Sequence, residues 1–391
     1  MYHEMLNQSQ SANGDRFLPK IKVVGLGGGG SNAVDRMITV GIPGVEYIAA
    51  NTDRQSLAVS EAPVKVQLGP QVTRGLGAGG KAEVGRDAAL ESEDALRDAL
   101  RGASMVFIAA GMGGGTGTGS APVAARVARE LGALTVAVVT LPFSFEGTHR
   151  ARSAQAGIQE LSRHVHTLVR VQNDRLLEVA PRDLRLEVAF RVADDILRQG
   201  IQGIAELVSQ TGIINLDFAN VEAVIRQGGS ALMAIGRGTD VEQAANAALL
   251  HPLLENDTID RATALLVHVT GGTDMGLIEV NQAMTKIVQS ANPAADVLFG
   301  VNEDPEMDGR AQVILVATGI KQSVPDSIAV QSLFGVPTPA SDEEEAMGDS
   351  ELELDLDISE PRTSLDVPAF MRRRKLSGAT GNMRREVWAA G

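Results

Sequence analysis

From Ile21 onward, short and almost wholly apolar runs alternate with longer stretches of helical period. The runs are Ile21-Lys-Val-Val, Val45-Glu-Tyr-Ile-Ala-Ala, Val64-Lys-Val-Gln-Leu, Met105-Val-Phe-Ile-Ala-Ala, Thr135-Val-Ala-Val-Val-Thr and Leu168-Val-Arg-Val. Strands apolar on both sides must be covered on both sides, so this pattern predicts an α/β fold with a parallel sheet and helices on both faces. Ligands of such sheets sit outside the carboxyl ends of the strands. A stretch without an internal proline at 184–209 predicts one long central helix. A second, smaller α/β unit follows, with apolar runs at Ala264-Leu-Leu-Val-His-Val, Asp296-Val-Leu-Phe-Gly and Ala311-Gln-Val-Ile-Leu-Val-Ala.

Polar and acidic stretches frame this core. The expected organisation is a disordered extension at 1–18, a nucleotide-binding domain at 19–183, the central helix at 184–209 and a C-terminal α/β domain at 210–322. Beyond it, Ser341-Asp-Glu-Glu-Glu and Glu351-Leu-Glu-Leu-Asp-Leu-Asp mark a disordered acidic linker at 323–363, which cannot bury a core. A short peptide at 364–375 and a variable tail at 376–391 complete the chain.

Two glycine-rich segments carry the chemistry. Gly111-Met-Gly-Gly-Gly-Thr-Gly-Thr-Gly-Ser120 lies between an apolar strand and the helical run Ala121-Pro-Val-Ala-Ala-Arg, with Pro122 expected in the first turn. Converging backbone N–H groups, the positive end of a helix dipole and missing Cβ atoms make such a junction an anion site. Upstream, Gly25-Leu-Gly-Gly-Gly-Gly-Ser-Asn32 precedes a helix read from Ala33. Gly25, Gly27 and Gly30 satisfy GxGxxG, and Asp53 sits where a ribose-binding acid would, which is the pattern of a nicotinamide-dependent oxidoreductase. Glycines at strand-to-helix turns also serve as steric relief. The second glycine segment argues against a dinucleotide enzyme, which needs one, and neither segment ends in the Gly-Lys-Ser/Thr of a P-loop.

Composition narrows the classes. The 391-residue chain has no cysteine, so disulfides, thiol catalysis and cysteine-ligated metals are excluded; its six histidines show no ligand spacing, and no metal site is expected from side chains alone. A net charge of −14 argues against nucleic acid as a partner. No apolar run approaches a membrane helix and the first residues are too polar for a signal peptide, so a cytoplasmic protein without direct membrane insertion is expected.

The ordered set of motifs resembles the tubulin/FtsZ family from Lys22 through Ile320, with bacterial FtsZ the nearer branch. It comprises Gly27-Gly-Gly-Gly-Ser-Asn-Ala33, Asn51-Thr-Asp53, Gly75-Leu-Gly-Ala-Gly79, Gly113-Gly-Gly-Thr-Gly-Thr-Gly119-Ser, Pro142-Phe-Ser-Phe-Glu-Gly147, Phe190-Arg-Val-Ala-Asp194 and Asn215-Leu-Asp217-Phe-Ala. The resemblance implies a GTPase that binds GTP or GDP with Mg²⁺ and polymerises head to tail into the filaments of a division ring. Gly28, Gly29, Gly30, Ser31 and Asn32 would cradle the phosphates with Gly114, Gly115, Thr116, Gly117 and Thr118, while Ala78, Gly79 and Gly80 approach the γ-phosphate. Asp53 belongs to the same top surface. Glu146, Arg150 and Asn173 would meet the ribose edge and Phe190 the base. Asp194 would accept from guanine N1–H and the exocyclic amine together, which adenine cannot offer. Simpler readings stand beside these: a strand-end turn for Asn51-Thr-Asp53, a surface pair for Glu146 and Arg150, a solvated carboxylate for Asp194.

The resemblance further implies that a neighbouring subunit completes the site with acidic residues after the long helix. Asp217 matches the first catalytic acid, but Asn220 stands at the second acidic position. An amide can hydrogen-bond water yet supplies neither charge nor a basic oxygen, so turnover should be slow; Asn220 also suits a cap for the helix expected from Val221. Lys81-Ala82 departs from the usual family pattern, and Lys81 is expected to point into water. In the tail, Leu365, Asp366, Val367, Pro368, Ala369 and Phe370 resemble the family's adaptor-binding peptide, followed by Arg372-Arg-Arg-Lys375. Its partners would be membrane-tethering division proteins, placing the filament at mid-cell near the inner face of the membrane.

Overall fold

The computed structural model describes residues 19–42, 44–179, 185–209, 212–214, 216–251 and 259–320. The proposed N-terminal extension, acidic linker, adaptor peptide and variable tail lie outside the described residues. The strands are β1 (Ile21–Leu26), β2 (Val45–Asn51), β3 (Val64–Gln67), β4 (Met105–Gly111), β5 (Leu134–Leu141), β6 (Thr167–Gln172), β7 (Gly229–Gly238), β8 (Ala264–Gly271), β9 (Asp296–Glu303) and β10 (Ala311–Ile320). The helices are α1 (Gly27–Val40), α2 (Arg54–Val59), α3 (Ala82–Glu91), α4 (Glu93–Leu100), α5 (Thr116–Glu130), α6 (Thr148–Ser162), α7 (Asn173–Val179), α8 (Leu186–Ser209), α9 (Phe218–Gln227), α10 (Val241–Leu249) and α11 (Leu277–Ser290).

All ten strands form one sheet in the order β3-β2-β1-β4-β5-β6-β7-β10-β8-β9. The first six are parallel, β6 continues parallel into β7, and β10 alone runs antiparallel between β7 and β8. Successive residues of a strand feed opposite cores. Val23 and Phe107 pack beneath α1, α8 and α9, whereas Val24 and Ile108 pack beneath α3 to α6. A third core joins α10 and α11 to the outer strands. The central helix spans both halves, since its Ile196, Ile201 and Ile204 share one core with Val136 of β5 and Ile314 of β10. At 24 residues it is about 36 Å long.

Three expectations change. The helices begin earlier than the apolar periodicity indicates, at Gly27 rather than Ala33 and at Thr116 rather than Ala121. Pro122 is therefore the seventh residue of α5 and not in its first turn. β7 was not anticipated, because Gly-Ser-Ala-Leu-Met-Ala-Ile-Gly-Arg-Gly mixes glycine at both ends with a helix-compatible centre.

Candidate functional site

The sheet order reverses between β1 and β4: β1 leads through α1 to β2 on one side, and the later strands extend on the other. A crevice at such a reversal is where open α/β sheets place ligands. Both glycine segments emerge there, from the carboxyl ends of β1 and β4, and each forms the first turn of a helix. Two helix N-termini thus converge, each contributing unpaired N–H groups and partial positive charge.

The glycines divide into two kinds. A Cβ on Gly30 would lie 2.2 Å from the Ala109 carbonyl oxygen, and one on Gly25 would lie 2.3 Å from the Gly30 carbonyl oxygen. On Gly119 it would meet the Ala82 oxygen at 2.0 Å, and on Gly115 the Ala78 Cβ at 2.8 Å. These residues let α1, α3, α5 and the 78–81 turn close against one another. By contrast, Cβ atoms on Gly79, Gly80 and Gly114 would meet nothing within 4 Å, and one on Gly29 only ordinary contacts at 3.6 Å. Gly79 and Gly80 hold positive φ, at 60° and 81°, which their turn demands; Gly29 and Gly114 answer neither to packing nor to positive φ, and their bare backbone at the two helix starts fits an approaching phosphate.

Hydroxyls tie the two segments together. Thr52 at the end of β2 shares a 2.6 Å hydrogen bond with the Thr116 hydroxyl, and the Gly113 N–H donates to Thr118 Oγ1 at 2.8 Å. Thr118 is buried and braces the loop from behind. Asp53 acts locally as a helix cap, its carboxylate accepting from the Gln55 and Ser56 N–H groups at the start of α2.

The sugar-and-base side is assembled from three later segments. Glu146 and Arg150 form an ion pair across the start of α6, and the Glu146 carboxylate also accepts the Phe143 N–H at 2.9 Å. Asp174, which sequence reasoning missed, accepts the Ser144 N–H at 2.8 Å and ties this loop to α7. Phe190, in the second turn of α8, packs edge-on against Phe143 at 5.3 Å and Phe145 at 6.5 Å, so a base would join an aromatic group already formed. Asp194 is partly exposed one turn further along. Its neighbour Asp195 is committed elsewhere, to Arg198 at 2.6 Å and to Gln199. Burial raises the Asp195 carboxyl, but Arg198 and the hydrogen bonds outweigh it and hold it below the usual carboxylate range.

Two buried atoms are orphaned at this crevice: Ser31 Oγ, on α1, and Asn173 Oδ1, at the start of α7, have no hydrogen-bond partner. Buried polar groups are nearly always satisfied, so both fit a ligand that supplies the missing partners. Lys81 is exposed at the start of α3.

The loop after α8 lies elsewhere. Ile214 bridges to Val301 of β9, the outermost strand, and Asp217 follows three residues later at the N-cap of α9. β9 stands six strand positions from β4, about 29 Å at ~4.8 Å per step. Asp217 and Asn220 are both exposed there. Asn220 occupies the first turn of α9 and not its cap, since the helix starts at Phe218. One chain therefore does not bring these residues to its own glycine loops.

Comparison with known proteins identifies the family. The GTPase-domain model of the Tubulin/FtsZ family matches residues 20–181, and the FtsZ C-terminal domain model matches 229–321. An empty FtsZ dimer from M. jannaschii is similar at 41% identity with a TM-score of 0.77, over 81% of this chain and 92% of that one. CetZ2 from Haloferax volcanii, in a GTPγS-bound protofilament, shares the fold at 21% identity and a TM-score of 0.68, over 80% of this chain and 96% of that one. The oxidoreductase reading of the first glycine segment is thereby set aside. The chain is a member of the FtsZ family, with the tubulin/FtsZ GTPase fold.

Proposed function

We propose that this protein binds GTP in the crevice between β1 and β4 and hydrolyses it only when assembled head to tail. The observation that carries this reading is the division of the site. The glycine cradle opens between the third and fourth strands of the sheet, whereas the loop leading to Asp217 is bridged to its β9 edge, so in this reading a second copy brings the loop to the phosphates. Contact between two different faces does not close on itself and propagates as a filament. The empty FtsZ dimer among the neighbours supports self-association.

In this reading the N–H groups of Gly28 to Gly30 and of Gly114 to Gly117 hold the phosphates, with the open turn at Ala78, Gly79 and Gly80 beside the γ-phosphate. Ser31 and Asn32 complete the cradle, and Thr118 contributes from behind by holding the Gly113 N–H. Glu146, Arg150 and Asn173 orient the ribose, Phe190 packs on the base and Asp194 reads guanine. Phosphoryl transfer depends on positioning and charge neutralisation more than on covalent help. Asp217 of the adjoining copy would orient the attacking water and Asn220 would hold it without adding charge. A bound Mg²⁺ would supply positive charge against that of the transferring phosphoryl group, beside the Gly28–Gly30 and Gly114–Gly117 N–H groups. Filaments at the division site, tethered through 365–370 to membrane adaptors, are the cellular role.

Asn220 favours a second reading, a GTP-bound scaffold that scarcely turns over. One experiment separates them: phosphate release against protein concentration, with sedimentation of the same samples. Specific activity that climbs above a critical concentration supports the shared site. Pelleted polymer without phosphate release supports the scaffold, and activity independent of concentration refutes both.

A further inference from the structure

A cavity of about 430 Å³ opens where the first residues of β6 and β7 meet the last of β10. Ser162, His166, Gly228, Ser230, Thr263 and Ile320 are among its lining. It is at the opposite end of β6 from the nucleotide crevice. Gly228, Gly229 and Gly319 all hold positive φ here, at 81°, 96° and 72°, and leave bare backbone on their part of the wall.

Its rim mixes hydroxyls, the Gln227 amide and the His166 imidazole, and one contact there sets two donors against each other. His166 Nδ1 accepts the Thr135 N–H at 3.0 Å, which fixes the ring proton of the neutral imidazole on Nε2. That Nε2–H faces Arg226 Nη1 at 3.1 Å, donor against donor. Burial first, then the Arg129 and Arg226 charges, hold the imidazole below its usual pKa and keep it neutral. Arg129, which donates to the Arg163 carbonyl at 3.2 Å, is thus a second guanidinium whose charge acts on His166. The nearby acids are already engaged: Glu222 accepts from Arg226 Nε at 2.7 Å, Asp296 from the Gln227 amide at 3.3 Å, and Glu160 pairs with Arg163 and His164. The Nε2–H and Nη1 donors share a spot that only an acceptor, best an anionic one, resolves.

Ile320, on the cavity wall, is where the described structure ends, and the chain continues to Gly391. Its acidic run starts at Asp342, 22 residues on, and a random coil of that length would have a root-mean-square reach of about 26 Å. A tether so short gives an effective concentration near the millimolar range. We infer that carboxylates of the chain's own acidic segment, 341–357, dock in this cavity against His166 and Arg226. The segment then folds back on the base of its own molecule, competing there with anything else that would use the basic rim.

The natural chain has no cysteine, so designed pairs report without background. The full chain carrying Ser162→Cys with Ser350→Cys, held in GDP at low salt, is oxidised beside a Ser162→Cys, Ser364→Cys control whose second position lies past the acidic run. Faster intramolecular disulfide formation is expected for the Ser350 pair. Adding Arg226→Gln should slow it by about fivefold, the effect of one partly screened ion pair, and leave the control unchanged. High salt should do the same in the unsubstituted background, which guards against a misfolded variant. Equal rates for the two pairs, indifference to Arg226 and salt, or disulfides mainly between chains would overturn the assignment.

Discussion

Asp194 and Asn220 show how much rests on single functional groups. A carboxylate at 194 can accept two hydrogen bonds from guanine, while an amide offers one acceptor and a mismatched donor. Asp194→Asn should therefore weaken GTP binding by about 10- to 100-fold, the range for lost charge-assisted bonds, with little change in melting temperature because the side chain is partly exposed. Titration of GTP and ATP against both proteins checks this; unchanged affinity for GTP removes Asp194 from the base site. At Asn220 the direction reverses. The side chain is exposed in the first turn of α9, where a negative charge also suits the helix dipole. Asn220→Asp should raise GTP turnover of polymerised protein roughly tenfold, about 1.4 kcal/mol of barrier. Turnover that stays level in polymer of equal mass would show that the amide is not what limits the rate.

At the scale of elements, the strands were the most legible part of the chain. Met105-Val-Phe-Ile-Ala-Ala is buried along its whole length because both of its faces are covered, and uninterrupted hydrophobicity is the mark of that environment. The beginnings of α1 and α5 were not legible. Glycine disfavours helix locally, so Gly27 to Gly30 and Thr116 to Gly119 read as loops until the tertiary packing that demands them is seen. The two kinds of glycine were hidden for the same reason: a sequence records the missing Cβ and not what stands opposite it. Nor could spacing reveal Asp174, whose role depends on a loop 30 residues away. The distinction is testable. Gly30→Ala drives a Cβ into the Ala109 carbonyl and should cost about 1–3 kcal/mol of stability. Gly114→Ala meets open space and should fold normally but bind GTP less well. Chemical denaturation should separate the two variants, with Gly30→Ala destabilised and Gly114→Ala not, and nucleotide titration should find the binding loss of Gly114→Ala in a fully stable protein; matching losses of stability would abolish the distinction.

For the molecule as a whole, stability should fall on the acid side of neutrality through a group remote from the nucleotide. His268 lies on β8, 1% exposed, where the central helix crosses the outer half of the sheet. Neither ring nitrogen has a hydrogen-bond partner, and the closest carboxylate, Glu206 on α8, is 4.0 Å away. Burial pushes the His268 imidazole down from 6.5 to about 4, so the folded protein keeps it neutral while the unfolded chain takes up a proton first. The stabilisation is complete above pH 6.5 and drains away as pH falls toward 4. At pH 5 the loss is up to about 2 kcal/mol by proton linkage. His251, also lowered by burial to about 4, acts in the same direction. Glu206 acts in the opposite one: burial raises its carboxyl, so it favours the fold when protonated and offsets part of the loss. His268→Leu keeps the bulk, removes two orphaned nitrogens and deletes the titration, so urea unfolding should show a smaller drop between pH 7 and pH 5 than in the parent. The Glu206→Gln protein should show a larger one. If all three chains lose the same stability over that interval, the acid sensitivity lies outside this pair and the central helix is not where protons act on the fold.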